Sequence, residues 1–122
     1  MSIVRLDHVN ITTDKLDETI AFFENIMGLS SGYRPDFEFP GCWLYADGHD
    51  LVHLVGRDGA GKGSETALDH FAFQISDYDA FQARLEENGI KYRKFEAPDG
   101  SRRQMFLKDP NGVAIEVSYR TG

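Results

Sequence analysis

The sequence predicts an α+β fold: two repeated βαβββ modules whose sheets curve around a cavity. Three observations predict it. The pentapeptide Asp7-His8-Val9-Asn10-Ile11 returns as Asp69-His70-Phe71-Ala72-Phe73, 62 residues later. Each copy runs into an acidic cap position and then a helical spacing of apolar residues closed by glycine. Three short strand-like stretches follow each helical pattern. With 122 residues in all, each half buries too little surface to stand alone, so one domain spanning 1–122 is expected. Module one covers about 1–56, module two about 68–122, and a Gly-rich join 57–67 connects them.

The first strand carries the opening pentapeptide, with Val4, Leu6, His8 and Asn10 on one face and Val9 and Ile11 on the other. Asp14 stands where a residue could cap a helix whose Leu16, Ile20, Phe23 and Met27 lie at three- and four-residue steps before Gly28. Strands are then expected over Ser31–Glu38, Cys42–Ala46 and Leu51–Val55, the last two joined by a turn at Gly48 and His49. In the second copy Leu68, His70, Ala72 and Gln74 oppose Phe71, Phe73 and Ile75. Ser76 or Asp77 caps a helix carrying Tyr78, Phe81 and Leu85, which ends at Gly89. Strands over Lys91–Ala97, Arg102–Lys108 and Val113–Tyr119 follow, with Pro110-Asn111-Gly112 as the final turn. The purely apolar face of each leading strand should meet its helix, and the face bearing histidine should line the interior.

Composition narrows the function. Twenty acidic against thirteen basic residues give a net charge of −7, so a binder of nucleic-acid backbones is not expected. The bases concentrate in the second half, around Lys91, Arg93, Lys94, Arg102, Arg103 and Lys108, where a solvated face or an anionic small ligand would both fit. Cys42 is the single cysteine, which excludes an intrachain disulfide, and no base stands beside it to make a catalytic thiolate. The opening residues lack the features of a secretory signal, and no apolar run approaches the roughly 18 residues of a membrane span. A cytoplasmic protein without membrane contact is therefore expected. Gly56-Arg57-Asp58-Gly59-Ala60-Gly61-Lys62 approximates a phosphate-binding loop, but Gly63 stands where Ser or Thr would bind Mg²⁺ and no helix pattern follows, so it reads as a linker.

Four polar residues occupy repeat-related places on the interior faces. His8 and His70 are 62 residues apart; His53 and Glu116 are 63 apart, the extra residue being one insertion in a turn. Imidazole and carboxylate are suitable ligands for Zn²⁺, Ni²⁺, Mn²⁺ or Fe²⁺, and an interior carboxylate needs a partner, so one divalent ion would satisfy all four. Asn10 shares the His8 face. Trp43 with Tyr45, and Gln104 with Phe106, alternate on corresponding strands and are candidate walls for a small-molecule substrate.

These motifs, together with Phe106-Leu107-Lys108-Asp109-Pro110-Asn111-Gly112-Val113-Ala114-Ile115-Glu116-Val117, resemble the vicinal oxygen chelate superfamily. That superfamily includes glyoxalase I, extradiol dioxygenases, methylmalonyl-CoA epimerase, fosfomycin-resistance transferases and bleomycin-binding proteins. The resemblance covers nearly the whole chain and implies paired βαβββ modules around one divalent metal held at His8, His70 and Glu116. His53 matches a fourth ligand position where glyoxalase I usually has Glu. It also implies a lyase or isomerase of glyoxalase type, with Glu116 and His53 catalytic, in a homodimer whose sites draw on two chains. Alternatives are thiol transfer to an epoxide antibiotic, extradiol ring cleavage, or metal-free drug binding. Phe106 stands where extradiol enzymes usually carry tyrosine, which disfavours ring cleavage.

Overall fold

The computed structural model describes residues 4–60 and 67–120. The chain divides into two compact units, Met1–Gly61 and Lys62–Gly122. Much of the expected join, residues 61–66, lies outside the described residues, as do Met1, Ser2 and Ile3 at the start of module one and residues 121 and 122 at the end of module two.

In the first unit, β1 (Val9–Thr13) leads into α1 (Leu16–Asn25), then β2 (Ser30–Ser31), β3 (Gly41–Ala46) and β4 (His49–Gly56). The second repeats the order with β5 (Phe71–Gln74), α2 (Tyr78–Glu87), β6 (Arg93–Glu96), β7 (Arg102–Lys108) and β8 (Ala114–Arg120). The sheets have the same topology, β1-β4-β3-β2 and β5-β8-β7-β6, in which only the first pair of each is parallel. The βαβββ unit expected from the repeat is thus present twice.

Parity sorts the side chains as expected inside the strands. Ile11, Val52 and Leu54 are buried with Phe22 and Phe23 of α1, and Ile115, Val117, Met105 and Leu107 are buried in the second unit with Phe81 and Leu85 of α2. The leading strands begin later than the sequence suggests. Val4 and Leu6 precede β1 and Leu68 precedes β5, and all three are exposed. Of the stretch expected as a strand over Ser31–Glu38, only Ser31 belongs to β2, and the Gly32 N–H donates to the Trp43 carbonyl at 3.1 Å just beyond it. Pro35 and Pro40 carry no N–H for a ladder, and the Tyr33 carbonyl accepts from the Tyr45 hydroxyl at 2.6 Å instead.

The helix starts differ between copies. In α2, Asp77 caps as expected, its carboxylate accepting from the Ala80 N–H at 3.0 Å. In α1 the cap position is Lys15, not Asp14, and its side chain makes no capping bond. The Thr13 hydroxyl accepts from the Lys15 N–H, and the Thr19 hydroxyl donates to the Lys15 carbonyl. Asp77→Ala is expected to lower stability by about 1 kcal/mol in chemical denaturation, the usual cost of losing an acidic cap. The β3–β4 turn is Asp47-Gly48, with φ of 51° and 76°, the left-handed pair that a two-residue hairpin requires. At the corresponding β7–β8 turn, buried Asp109 accepts from the Asn111 and Val113 N–H groups. Among the described residues no helix is long and apolar enough to cross a membrane.

Candidate functional site

In the second unit, β5 and β8 run parallel with Ala72 opposite Glu116, which leaves His70 two residues before that pair and next to the same face. His70 Nδ1 lies 2.7 Å from Asp69 Oδ2. A carboxylate only accepts, so Nδ1 donates to Asp69, and in the neutral ring this leaves the lone pair on Nε2. That lone pair faces Glu116 Oε1 at 3.3 Å. Glu116 is 7% exposed, and its other oxygen accepts from Gln104 Nε2 at 2.8 Å. Phe106 packs edge-on to His70 at 6.0 Å, with the Arg93 guanidinium 5.0 Å over its ring.

Two acceptors facing each other repel unless a cation lies between them. A proton on His70 would serve, and so would a metal ion. Two ligands about 2.1 Å from one ion, at an angle of 100–110°, stand about 3.2–3.4 Å apart, which the observed spacing matches. Asp69 has the part that outer carboxylates take at metal-binding histidines, fixing the tautomer and raising basicity. His70 and Glu116 are therefore spaced as two ligands of one divalent ion would be.

The first unit repeats half of this arrangement. His8 Nδ1 lies 2.8 Å from Asp7 Oδ1, leaving Nε2 with the lone pair. Asn10 is opposite His53 across β1 and β4, and Trp43 is opposite His53 across β3 and β4, so all three share a face. Here the resemblance to the second unit stops. His53 is sandwiched between two rings, His8 at 3.8 Å with 16° between planes and Trp43 at 3.9 Å with 7°. Its Nε2 donates to Asp50 Oδ2 at 2.6 Å, so its lone pair is on Nδ1. Near-parallel stacked rings send their in-plane nitrogens along separate planes, so in this arrangement His8 and His53 do not aim at a common ion.

Asp50 reaches His53 because the strand pairing slips. Leu44 is opposite Val52 but Tyr45 is opposite Asp50, so Leu51 is skipped. Three residues along a regular strand would turn Asp50 to the far face; the bulge returns it to the near one. The hydrogen bond from His53 holds the Asp50 carboxyl below its usual range against the opposing effect of burial. Desolvation, then the charges of Asp50 and Tyr33, push the Tyr45 phenol up, which keeps it a donor.

Of the residues expected from sequence, His70, Glu116, Gln104 and Phe106 come together in one unit, and His8, His53, Trp43 and Asn10 share a face in the other. Tyr45 is tied to the 32–40 loop. Among the described residues no group of three or more His, Cys, Asp or Glu side chains is arranged to hold a metal. Asp7, Asp69 and Asp50 were not among the expected site residues. The Asp-His dipeptide at both ends of the repeat was the signal for the first two, and only the bulge reveals the third.

The family model of the Glyoxalase/Bleomycin resistance protein/Dioxygenase superfamily matches residues 5–117. The chain is 27% identical to "Glyoxylase I 4" of Arabidopsis thaliana over 96% of its own length and 71% of that protein's. Its fold is similar to that of the genomically encoded fosfomycin resistance protein FosX from Listeria monocytogenes, with a TM-score of 0.77 at 20% identity, covering 98% of this chain and 96% of that one. It is also similar to lactoylglutathione lyase from Agrobacterium tumefaciens, with a TM-score of 0.74 at 18% identity over 97% and 95% of the two chains.

Proposed function

We propose that this chain, which belongs to the glyoxalase/bleomycin resistance protein/dioxygenase superfamily, is a divalent-metal-dependent lyase or isomerase of glyoxalase type. Its substrate would be a small oxygenated carbonyl compound or thiol adduct. The observation that carries this reading is the approach of His70 Nε2 to the buried Glu116 Oε1 at 3.3 Å, the spacing of two ligands on one ion. The matching Asp7–His8 pair supports it by presenting a third donor in the same tautomer.

His8, His70 and Glu116 would hold the ion, drawn from both units. When bound, the ion supplies Lewis-acid polarisation of a substrate oxygen. The chain's own residues then handle the proton. Gln104 anchors Oε2 of Glu116, so Oε1, on loosening from its place beside His70, would be the oxygen that turns toward a substrate carbon and carries its proton. Asp50 holds Nε2–H of His53 while Trp43 and His8 clamp the ring, which presents Nδ1 as a second proton acceptor. We assign His53 to proton handling and not to coordination.

We also place the complete site in a homodimer. The first unit supplies His8 and His53 and the second His70 and Glu116, and a Gly-rich join permits the complementary unit to come from another chain.

Elemental analysis of the purified protein is expected to find one divalent ion per chain, removable by chelation and rebinding more weakly as pH falls, because protons compete with the ion for its ligands. The reloaded protein is then screened on hemithioacetals, on epoxides with a thiol, and on catechols. Turnover of hemithioacetals supports the reading; turnover of epoxides alone replaces it with thiol transfer. A metal-free protein that binds a drug tightly and turns over nothing sinks the enzyme assignment.

A further inference from the structure

The face of the second sheet that carries Glu116 is basic by register. Residues directly opposite one another share a face, and the pairing sets Arg93 against Phe106, Phe106 against Glu116, Phe95 against Gln104, Gln104 against Ser118, Arg102 against Arg120, and Lys108 against Ala114. Arg93, Arg102, Lys108 and Arg120 therefore stand on this face, and Glu116 is the only acidic residue of β6–β8 among them. Lys94, Glu96 and Arg103, of mixed sign, turn to the other face. In a chain of net charge −7 this sorting is against the overall balance.

Two features at one end of the face point to a ligand. Arg102 and Arg120 are direct cross-strand partners, an arrangement of like charges that is unfavourable unless an anion joins them. Neither makes an ion pair among the described residues. Asp99, on which the charge of Arg102 acts, accepts from the hydroxyl and N–H of Ser101 with one oxygen, Oδ1, at 2.6 and 3.0 Å, and among the described residues makes no ion pair with Arg102. Beside the arginines, Ser118 is only 7% exposed and its Oγ has no hydrogen-bond partner, although it lies in register between Gln104 of β7 and Gln74 of β5. A buried hydroxyl left without a partner is unfavourable in its own right, and a hydroxyl one register step from two arginines on the same face is a suitable donor to an oxyanion.

We propose that Arg102, Arg120 and Ser118 form an oxyanion subsite that receives a carboxylate or phosphate group of the substrate. Glu116, Ser118 and Arg120 follow one another on the same face of β8 at steps of about 7 Å. The anionic group therefore sits about 7–13 Å along the strand from the carboxylate that handles the proton, and the substrate is elongated with one charged end. Its place as a substrate subsite rests on the function proposed above; the anion binding itself does not.

The test is calorimetric titration of the chelator-treated protein with inorganic phosphate and, separately, with acetate, in low-salt buffer. One anion is expected per chain. Arg102→Gln and Arg120→Gln should each weaken binding at least 10-fold and together abolish it, with circular dichroism confirming the fold. Lys108→Gln, the same charge change on the same face at the other end, should leave binding intact. Ser118→Ala should weaken binding yet raise the melting temperature of the anion-free protein, since it removes the unpaired hydroxyl. Glu116→Gln should bind the anion at least as tightly as wild type, so the subsite can be read even if the metal assignment fails. Acetate binding with the same dependence marks a carboxylate site, and phosphate binding alone marks a phosphate site. Absence of binding, wild-type binding in the double arginine variant, or an equal loss in Lys108→Gln overturns the proposal. Unchanged melting and unchanged binding in Ser118→Ala remove Ser118 from it.

Discussion

The Glu116→Gln protein is expected to fold, to lose the proposed metal and to stop turning over substrate. Gln at this position still accepts from Gln104, and its amide can donate to the lone pair of His70 Nε2, so the two facing acceptors of the wild type become an ordinary donor–acceptor pair. The metal-free variant should therefore melt no lower than metal-free wild type. What it gives up is the negative charge. Altering the groups that merely orient metal-binding residues costs about 10–100-fold in affinity, and replacing an ionised ligand by a neutral amide should exceed that range. The melting temperature of wild type should rise on adding the native ion, in proportion to the logarithm of ion over dissociation constant, while the variant shows no rise. Equal metal content and an equal thermal shift in the two proteins would remove Glu116 from the metal site.

Mixing two inactive proteins is expected to restore activity. In a dimer whose sites each combine the first unit of one chain with the second unit of the other, a heterodimer of His8→Ala and Glu116→Gln collects both lesions in one site and leaves the other intact. With statistical exchange half of the dimers are heterodimers, each with one working site of two, so activity should reach about a quarter of wild type from essentially none. Exchange is followed by mass spectrometry with one protein isotopically labelled. Proven heterodimers without recovery, or a monomer by light scattering that carries its full metal content, would place both halves of each site in a single chain.

The duplication was legible in the residues alone. The 62-residue spacing of the Asp-His motifs, the two-residue alternation of Val52, His53 and Leu54 against Ile115, Glu116 and Val117, and the glycines that close both helices depend only on local periodicity. Local periodicity is what strand and helix geometry impose on a sequence. It therefore determined the two βαβββ units and the sheet faces on which the candidate site residues stand.

Other features depend on how one strand meets the next. The prolines at 35 and 40 cut the second strand to Ser30–Ser31, and the choice between pairing and loop rests on where the Tyr45 hydroxyl finds a partner. Parity within β4 alone places Asp50 away from His53; the skipped residue opposite β3 reverses that and ties His53 to a carboxylate, inside a ring stack that no spacing rule predicts. Arg102 and Arg120 are 18 positions apart in the chain and face each other only because β7 and β8 pair in this register. A sequence specifies the faces of its own strands, whereas cross-strand register is fixed by the turns and bulges between them, and the functional partners of His53 and Arg102 were decided there.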